Sequence, residues 1–337
     1  MKRDAIVLGA GIVGVSVALH LQARGRSVAL IDRREPGSET SYGNAGLIER
    51  SSVIPYGFPR DLGSILHYAS NRATAVRYHP TFLPRLLPWL FAYWRNSAPQ
   101  RLDRIAREIL PLIEHSVSEH DAFIGPSGAA PLVRPDGWIE VYRSQTALQR
   151  AVAAARELGA FKLRYDALDG AGLRALEPAL LGEFAGGVHW RDPATVADPG
   201  AVTRAYADLF KARGGDVITA DARSVSESGN GWSVRSDFEP IEARNAVVAL
   251  GPWSGDLCGA LGYRFPLAAK RGYHRHYAPQ NGAKLNHPVC DNDAGFLLTP
   301  MARGVRMTTG VELAARDAPP TPIQIRRVEP LARGLFP

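Results

Sequence analysis

Cysteine is almost absent from this chain: Cys258 and Cys290 are the only two among 337 residues. Two thiols supply neither a disulfide framework nor the paired spacing of a zinc site. They suit a reducing compartment, so the cytoplasm is the expected location. Long apolar runs are missing too. The run Ala5–Leu21 has 17 residues, but three are glycine and Ser16 and His20 interrupt it. A membrane span needs roughly 20 apolar residues. Met1-Lys2-Arg3 mimics the start of a secretory signal, yet Asp4 breaks the flank and no cleavage site follows. Repeats and low-complexity segments are absent. Acidic residues are the minority, 33 against 40 basic ones, for a net charge of +7. That excess suits anionic substrates or an anionic membrane face, and an arginine-rich proteome would produce it equally well. Without zinc-finger spacing, an RNA-binding aromatic motif or a basic tail, no nucleic-acid partner is expected. What remains, 45% hydrophobic and 22% charged, describes a globular chain large enough for two domains.

The most informative stretch is Asp4–Asp32, DAIVLGAGIVGVSVALHLQARGRSVALID. Ala5–Leu8 fits a buried parallel strand. Gly9, Gly11 and Gly14 follow at Gly-x-Gly-x-x-Gly spacing, Ile12–Arg24 has helical character, and Gly25 is a terminator. Val28–Ile31 reads as a second buried strand ending at Asp32. Gly9 permits the tight turn, Gly11 lets a pyrophosphate approach the backbone, and Gly14 lets helix and strands pack closely. The helix N-terminus offers N–H groups and partial positive charge to a phosphate. Asp32 lies 23 residues after Gly9, where a carboxylate accepts hydrogen bonds from a ribose diol. The nucleotide-facing set is therefore Gly9, Ala10, Gly11, Ile12, Val13, Gly14 and Asp32.

Farther along, Arg33–Ile48 is a loop rich in Gly, Ser, Thr and Asn. Residues 55–110 are dense in proline, arginine and aromatic side chains, and Leu83–Trp94 reads as an apolar helix or helix pair bent at Pro88. Basic residues beside Trp and Tyr suit a membrane interface; a helical insertion with solvated arginines is the favoured alternative. Ile105–Phe123 reads as one amphipathic helix, Asp136–Tyr142 as a strand and Thr146–Leu158 as a helix. Asp198 and Pro199 have the N-cap and first-position chemistry of a helix over 199–213. Asp216–Thr219, Gly186–Trp190, Ala246–Leu250, Gly295–Thr299 and Gly304–Thr309 read as strands. A hairpin is expected around Gly229-Asn230-Gly231.

Four stretches carry a family resemblance. The opening unit followed by Glu39-Thr40-Ser41-Tyr42-Gly43-Asn44-Ala45-Gly46 resembles the FAD-dependent D-amino-acid dehydrogenases of small-subunit type, within the D-amino-acid oxidase and glycine oxidase superfamily. Leu173–Pro178 is similar to that superfamily's Leu-x-x-x-Glu-Pro element, Val247–Ser254 (VVALGPWS) to its second cofactor-side turn, and Lys270–Tyr273 to its Lys-Gly-Tyr element. The resemblance implies an α/β fold: a Rossmann-like FAD-binding domain and a second, α+β substrate domain built on an antiparallel sheet. The expected boundaries are 1–60 with 145–262 for the first and 61–144 with 263–337 for the second. It implies FAD as cofactor, with Arg33, Thr40, Ser41, Asn44, Ala45 and Gly46 added to its contacts. Ala249, Leu250 and Gly251 would lie beside the dinucleotide, and Ala222 or Val225 would offer backbone groups to adenine. Family members continue beyond the point matched by Pro337, so a truncated chain, and with it an inactive flavoprotein or subunit, is one expectation.

The activity so implied is oxidation of a D-amino acid to an imino acid, which water converts to a 2-oxo acid and ammonia. Electrons would pass to a quinone or carrier, with peripheral contact on the inner face of the plasma membrane. A glycine-, sarcosine- or D-hydroxyproline-type oxidoreductase is the near alternative, and an NAD-dependent dehydrogenase a weak one. Such a substrate needs a carboxylate clamp, for which a guanidinium is best suited. Arg271, Arg303 and Arg306 are the candidates, with Tyr56 and Tyr273 as hydroxyl partners. His274 and His276 form a His-x-His pair on one strand face, but without an evident third ligand no metal is expected.

Overall fold

The computed structural model describes residues 1–337, and Cα packing divides them into two units. The first comprises Met1–Asn44, Asp121–Leu132 and Asp198–Leu267; the second comprises Ala45–His120, Val133–Ala197 and Ala268–Pro337.

The first unit is built on a six-stranded sheet. Lys2–Leu8 lies at its centre, parallel to Val28–Asp32 on one side and to Ile241–Val248 on the other. Asp216–Thr219 extends the parallel part beyond Val28–Asp32. Gly231–Val234 and Ser226–Ser228 close the other edge as an antiparallel hairpin. The central strands are apolar on both faces, as a doubly covered parallel sheet requires. Ile6, Leu8, Ala29, Ile31, Ile241 and Leu257 form one buried cluster, and Leu19, Tyr206 and Phe210 of the helices Ile12–Ala23 and Pro199–Ala212 are also fully buried. Asp198 caps the second helix by accepting from Ala201 N at 2.9 Å, and Pro199 occupies its first turn. Phe123 meets His20 and Tyr206 edge-on, which ties segment 121–132 to this unit.

The second unit is built on a seven-stranded sheet in the order 274–277, 304–309, 296–301, 289–291, 138–142, 186–190, 165–169. Every pair is antiparallel except Val289–Asp291 with Trp138–Tyr142. One face packs Ile139, Val141, Val289, Leu298 and Met307 against Ile325, Val328, Ala332 and Leu335 of the helix Ile323–Leu335. Each such fully buried aliphatic side chain contributes about 1.5–3 kcal/mol. The other face carries Trp138, Tyr142, Val188 and Trp190, with Leu148 and Ala155 of the helix Gln145–Glu157. Glu177, fully buried, accepts hydrogen bonds from Asn286 N (3.0 Å), His287 N (2.6 Å) and His287 Nδ1 (2.7 Å). The Leu173–Pro178 element is thus architecture. Two small sheets complete the unit: 270–271 with 311–313 and 76–78, and 47–48 with 194–196 and 133–134. No helix is long and apolar enough to cross a membrane.

Three expectations change. Residues 145–197 belong with the second unit, because Gly186–Trp190 and Tyr165–Asp169 pair into its sheet; sequence order hides such pairing. Ile105–Phe123 is two helices, Pro99–Glu114 and Ser116–Ile124. The chain turns at His115 (φ −92°, ψ 0°), and Ser116 Oγ donates to Glu49 O at 2.9 Å. The strand placed at Ala246–Leu250 spans Ile241–Val248, since its outer half gains partners on both sides.

Candidate active site

Backbone geometry at the first βα turn dictates what can bind there. Gly9 adopts φ +110°, and a Cβ on it would stand 2.4 Å from Ala249 O. A Cβ on Gly14 would stand 1.8 Å from Gly9 O. Glycine is therefore enforced by close packing at both positions. Gly11 is the N-cap of the helix Ile12–Ala23 and offers it no side-chain cap, so a ligand can approach the first turn. Ile12 N donates to Ser41 Oγ at 2.9 Å, which holds the loop carrying Thr40, Ser41 and Asn44 beside that turn. Val13 is exposed. Asp32, at the end of its strand, accepts from Ala10 N (2.7 Å) and Arg34 N (3.0 Å), which fixes its carboxylate at the strand's C-terminal edge. Arg33 stacks 5.1 Å over Trp253 and lies 3.5 Å from Glu39. Ala249 follows the strand Ile241–Val248, and its N–H donates to Leu8 O at 2.8 Å. Leu250 and Gly251 (φ +54°) continue from it. A glycine cradle, an open helix N-terminus and an ordered carboxylate fit the pyrophosphate and ribose of a dinucleotide such as FAD.

Other members of the cofactor set are placed differently. Ala222 and Val225 are buried in the core of the first unit, and Val225 N donates to Ala222 O at 3.2 Å. Ala45 and Gly46 fall in the second unit. Gly46 (φ +69°) packs where a Cβ would stand 2.4 Å from Val196 O, so its lack of a side chain has a packing cause.

In the second unit, the expected substrate arginines separate. Arg271 and Tyr273 join a network around Glu312, which is fully buried. Tyr273 Oη donates to Glu312 Oε2 at 2.5 Å, Thr321 Oγ1 to Oε1 at 2.5 Å, and His79 Nε2 to Oε1 at 3.1 Å. Arg77 and Arg271 stand 3.6 and 3.7 Å from the same carboxylate. Tyr273 Oη also accepts from Thr321 N at 2.9 Å and from Arg271 Nη2 at 3.2 Å. Burial alone would raise the Glu312 carboxyl, but the hydrogen bonds from Thr321, Tyr273 and His79 hold it below the usual carboxylate range. Tyr273 and Arg271 are thereby spoken for within the protein, and the clamp role expected of them gives way to holding three segments together. Arg303 sits exposed at the turn joining 296–301 to 304–309. Tyr56 is exposed, and its carbonyl accepts from Tyr93 Oη at 2.5 Å.

Arg306 is different. It is buried on the seven-stranded sheet, opposite Thr299 and His276 in register, and its Nε donates to His276 Nε2 at 3.1 Å. His274 lies on the same face, its ring 5.9 Å from that of His276. Burial, and then the charge of Arg306, push the His274 imidazole below its ordinary pKa. Arg306, His274 and His276 thus bring a guanidinium and two imidazoles to one face of this sheet. At the sheet edge a cavity of about 460 Å³ opens beside His276, Tyr277 and Phe336; its Glu329 is already paired with Arg275 (2.9 Å) and Arg333 (3.0 Å).

Sequence reasoning missed Glu312, because its partners come from residues 77–79, 271–273 and 321. The one signal was an acid, Glu312, inside an apolar strand, Val311–Leu313.

Comparison with known proteins bears on the family and the fold. A D-amino-acid oxidase of Bradyrhizobium diazoefficiens is 29% identical over 341 residues, covering 99% of this chain and 79% of the relative. A D-amino acid dehydrogenase of Chromohalobacter salexigens is 26% identical over 342 residues, covering 99% and 81%. Among solved structures, glycine oxidase from Bacillus cereus ATCC 14579 superposes with a TM-score of 0.67 at 18% identity, over 100% of this chain and 78% of that one. The L-alpha-glycerophosphate oxidase of Mycoplasma pneumoniae, with FAD bound, gives 0.67 at 15% identity over 100% and 79%. At such identities these two speak for the fold alone. The profile described as "DAO: FAD dependent oxidoreductase" matches residues 4–337, and the glycine cradle with its ordered carboxylate belongs, as the whole chain does, to that family of FAD-dependent oxidoreductases.

Proposed function

We propose that this chain oxidises a D-amino acid at its α-carbon, giving the imino acid that water then converts to a 2-oxo acid and ammonia. The observation that carries this reading is Arg306, a buried guanidinium beside His276 on the sheet of the second unit, in a chain whose curated relatives are named for D-amino acids. Arg306 binds the α-carboxylate and so orients the Cα–H bond. The first unit is the FAD-binding domain and the second the substrate domain. Gly9–Gly14 hold the pyrophosphate, Asp32 the ribose, and Arg33, Thr40, Ser41, Asn44, Ala249, Leu250 and Gly251 the surrounding nucleotide. FAD, when bound, supplies the two-electron acceptor for the hydride leaving Cα, and the amine loses a proton as the imine forms.

The test is an absorbance spectrum of the FAD-loaded chain, taken anaerobically before and after a panel of D-amino acids, glycine, sarcosine and D-hydroxyproline. Bleaching by D-amino acids supports the reading. Bleaching by glycine or sarcosine alone replaces it with the near alternative, and a bound flavin that no amine reduces overturns both.

The electrons then pass to a quinone or carrier at a membrane face. Leu62 and Leu66 of the helix Leu62–Ala69, and Leu87, Phe91 and Trp94 of the helix Leu83–Asn96, are exposed. Leu87, Phe91 and Trp94 share a helical face, flanked by exposed Arg60, Arg85 and Arg95. Apolar and aromatic side chains ringed by arginine suit an anionic lipid surface. Co-sedimentation with anionic but not zwitterionic vesicles, lost in Phe91→Glu, is the expected result.

A further inference from the structure

The loop assigned to the cofactor is anchored at both ends. At its start, Ser41 Oγ accepts from Ile12 N at 2.9 Å, within the first unit. Beyond Asn44 the chain passes into the second unit. There Gly46 O accepts from Val196 N at 2.7 Å, and Leu47 and Ile48 pair with Thr195 and Ala194. On the other side of 194–196, Val133 and Arg134 pair with Val196 and Thr195. Only residues 42–45 lie between the two anchors. The chain leaves the first unit after Asn44 and after Leu132 and returns to it at Asp198, so each strand of this small sheet stands beside one of those crossings.

Strands this short make few ladder bonds, and pairs of them are marginal by themselves. Side chains add the missing hold. Thr195 is 1% exposed, and a buried hydroxyl needs a partner. It donates to Asp136 Oδ1. The other carboxylate oxygen of Asp136 lies 3.2 Å from Arg134 Nε, and the Asp136 carbonyl accepts from His189 Nε2 at 2.8 Å. His189 is 5% exposed, on the strand Gly186–Trp190 of the seven-stranded sheet. Gly137, at φ +71°, fixes the turn that follows Asp136: a Cβ there would stand 1.9 Å from Trp190 O. A continuous set of hydrogen bonds thus runs from the large sheet through Asp136 and Thr195 to the strand that begins at Leu47.

We propose that Thr195, with its acceptor Asp136, is a positioning residue for FAD: its hydroxyl fixes the end of the cofactor loop and so the placement of Asn44. This rests on the reading that residues 40–44 face FAD. Thr195 acts through the loop, because its hydroxyl is already engaged by Asp136. Without that bond, 194–196 is free to shift against 133–136, and Val196 N carries the shift to Gly46 O. The glycine cradle and Asp32 hang on the first unit's own sheet, so their hold on pyrophosphate and ribose does not depend on it. Thr195→Val removes the hydroxyl and keeps the branched shape, whereas Thr195→Ser keeps the bond. The Asp136 side chain is 31% exposed, so water replaces the lost donor and Thr195→Val folds.

The experiment titrates the full-length apoprotein with FAD and, separately, with ADP, by calorimetry. ADP carries the pyrophosphate and ribose of the cofactor without its flavin. Thr195→Val and Asp136→Ala are expected to weaken FAD about tenfold while ADP affinity stays within about twofold of wild type. Thr195→Ser is expected to bind FAD as wild type does. Visible circular dichroism of the bound flavin is expected to change in Thr195→Val and to return in Thr195→Ser, a signature that a loss of global stability does not produce. ADP binding also establishes that the first unit is folded in each variant. Thr40→Ala and Asn44→Ala test the loop reading by itself, and each is expected to weaken FAD. FAD affinity unmoved in both Thr195→Val and Asp136→Ala, with Asn44→Ala weakened, overturns the positioning role while the loop reading stands. Equal weakening of FAD and ADP overturns the role too, since the effect is then one of stability. FAD affinity unmoved in Thr40→Ala and Asn44→Ala overturns the loop reading, and the positioning role falls with it.

Discussion

The candidate cofactor site of the first unit is made of backbone. Its shape comes from Gly9 at φ +110°, from Gly14 with no room for a Cβ, and from a helix N-terminus left open by Gly11. The candidate substrate region of the second unit is made of side chains. Glu312 gathers His79, Arg271, Tyr273 and Thr321, and Arg306 meets His276 across a sheet. A backbone site is fixed by a few neighbouring residues and binds what every family member needs. A side-chain site is assembled from distant segments, so its members can be exchanged between anchoring the fold and meeting substrate. Arg271 and Arg306 illustrate the difference: both are arginines of the second unit, yet one is tied to a buried acid and the other lies among imidazoles.

Five substitutions break or sharpen that contrast. Gly14→Val has the largest expected effect. Its Cβ would stand 1.8 Å from a carbonyl oxygen, so the first unit loses more than about 4 kcal/mol and the purified chain carries no flavin absorbance. Glu312→Ala comes next. It leaves Arg77 and Arg271 beside a void, for a loss of about 3–5 kcal/mol by urea denaturation. Arg306→Ala lowers kcat/KM for a D-amino acid about a hundredfold, chiefly through KM. Arg271→Ala lowers the melting temperature without that KM change, and identical KM effects would erase the distinction between the two arginines. Asp198→Ala is the smallest, at about 1 kcal/mol, because it removes one helix cap and leaves the site intact.

Acid titration probes the same contrast without changing shape. The folded-state pKa of Glu312 is depressed. Its contribution to stability is therefore present above the ordinary carboxylate value and is lost as pH falls through the lower, folded one. Melting temperature followed from neutral to acid pH is expected to drop less steeply in Glu312→Gln than in wild type.

The sequence alone determined the first unit's core device. Strand, glycines, helix, strand and acid occupy 29 consecutive residues, from Asp4 to Asp32, and each works through local backbone geometry, which short-range spacing encodes. The helix beginning at Pro199, with its Asp198 cap, was legible for the same reason. The membership of 145–197 was not, since strand pairing with 138–142 is a long-range choice made by burial. The division of the arginines was also beyond the sequence. Arg271, Arg303 and Arg306 are chemically identical and close in the chain. Only tertiary structure sent one to a buried glutamate, one to an exposed turn and one to a histidine across a sheet, because the energy of a charge depends on what surrounds it.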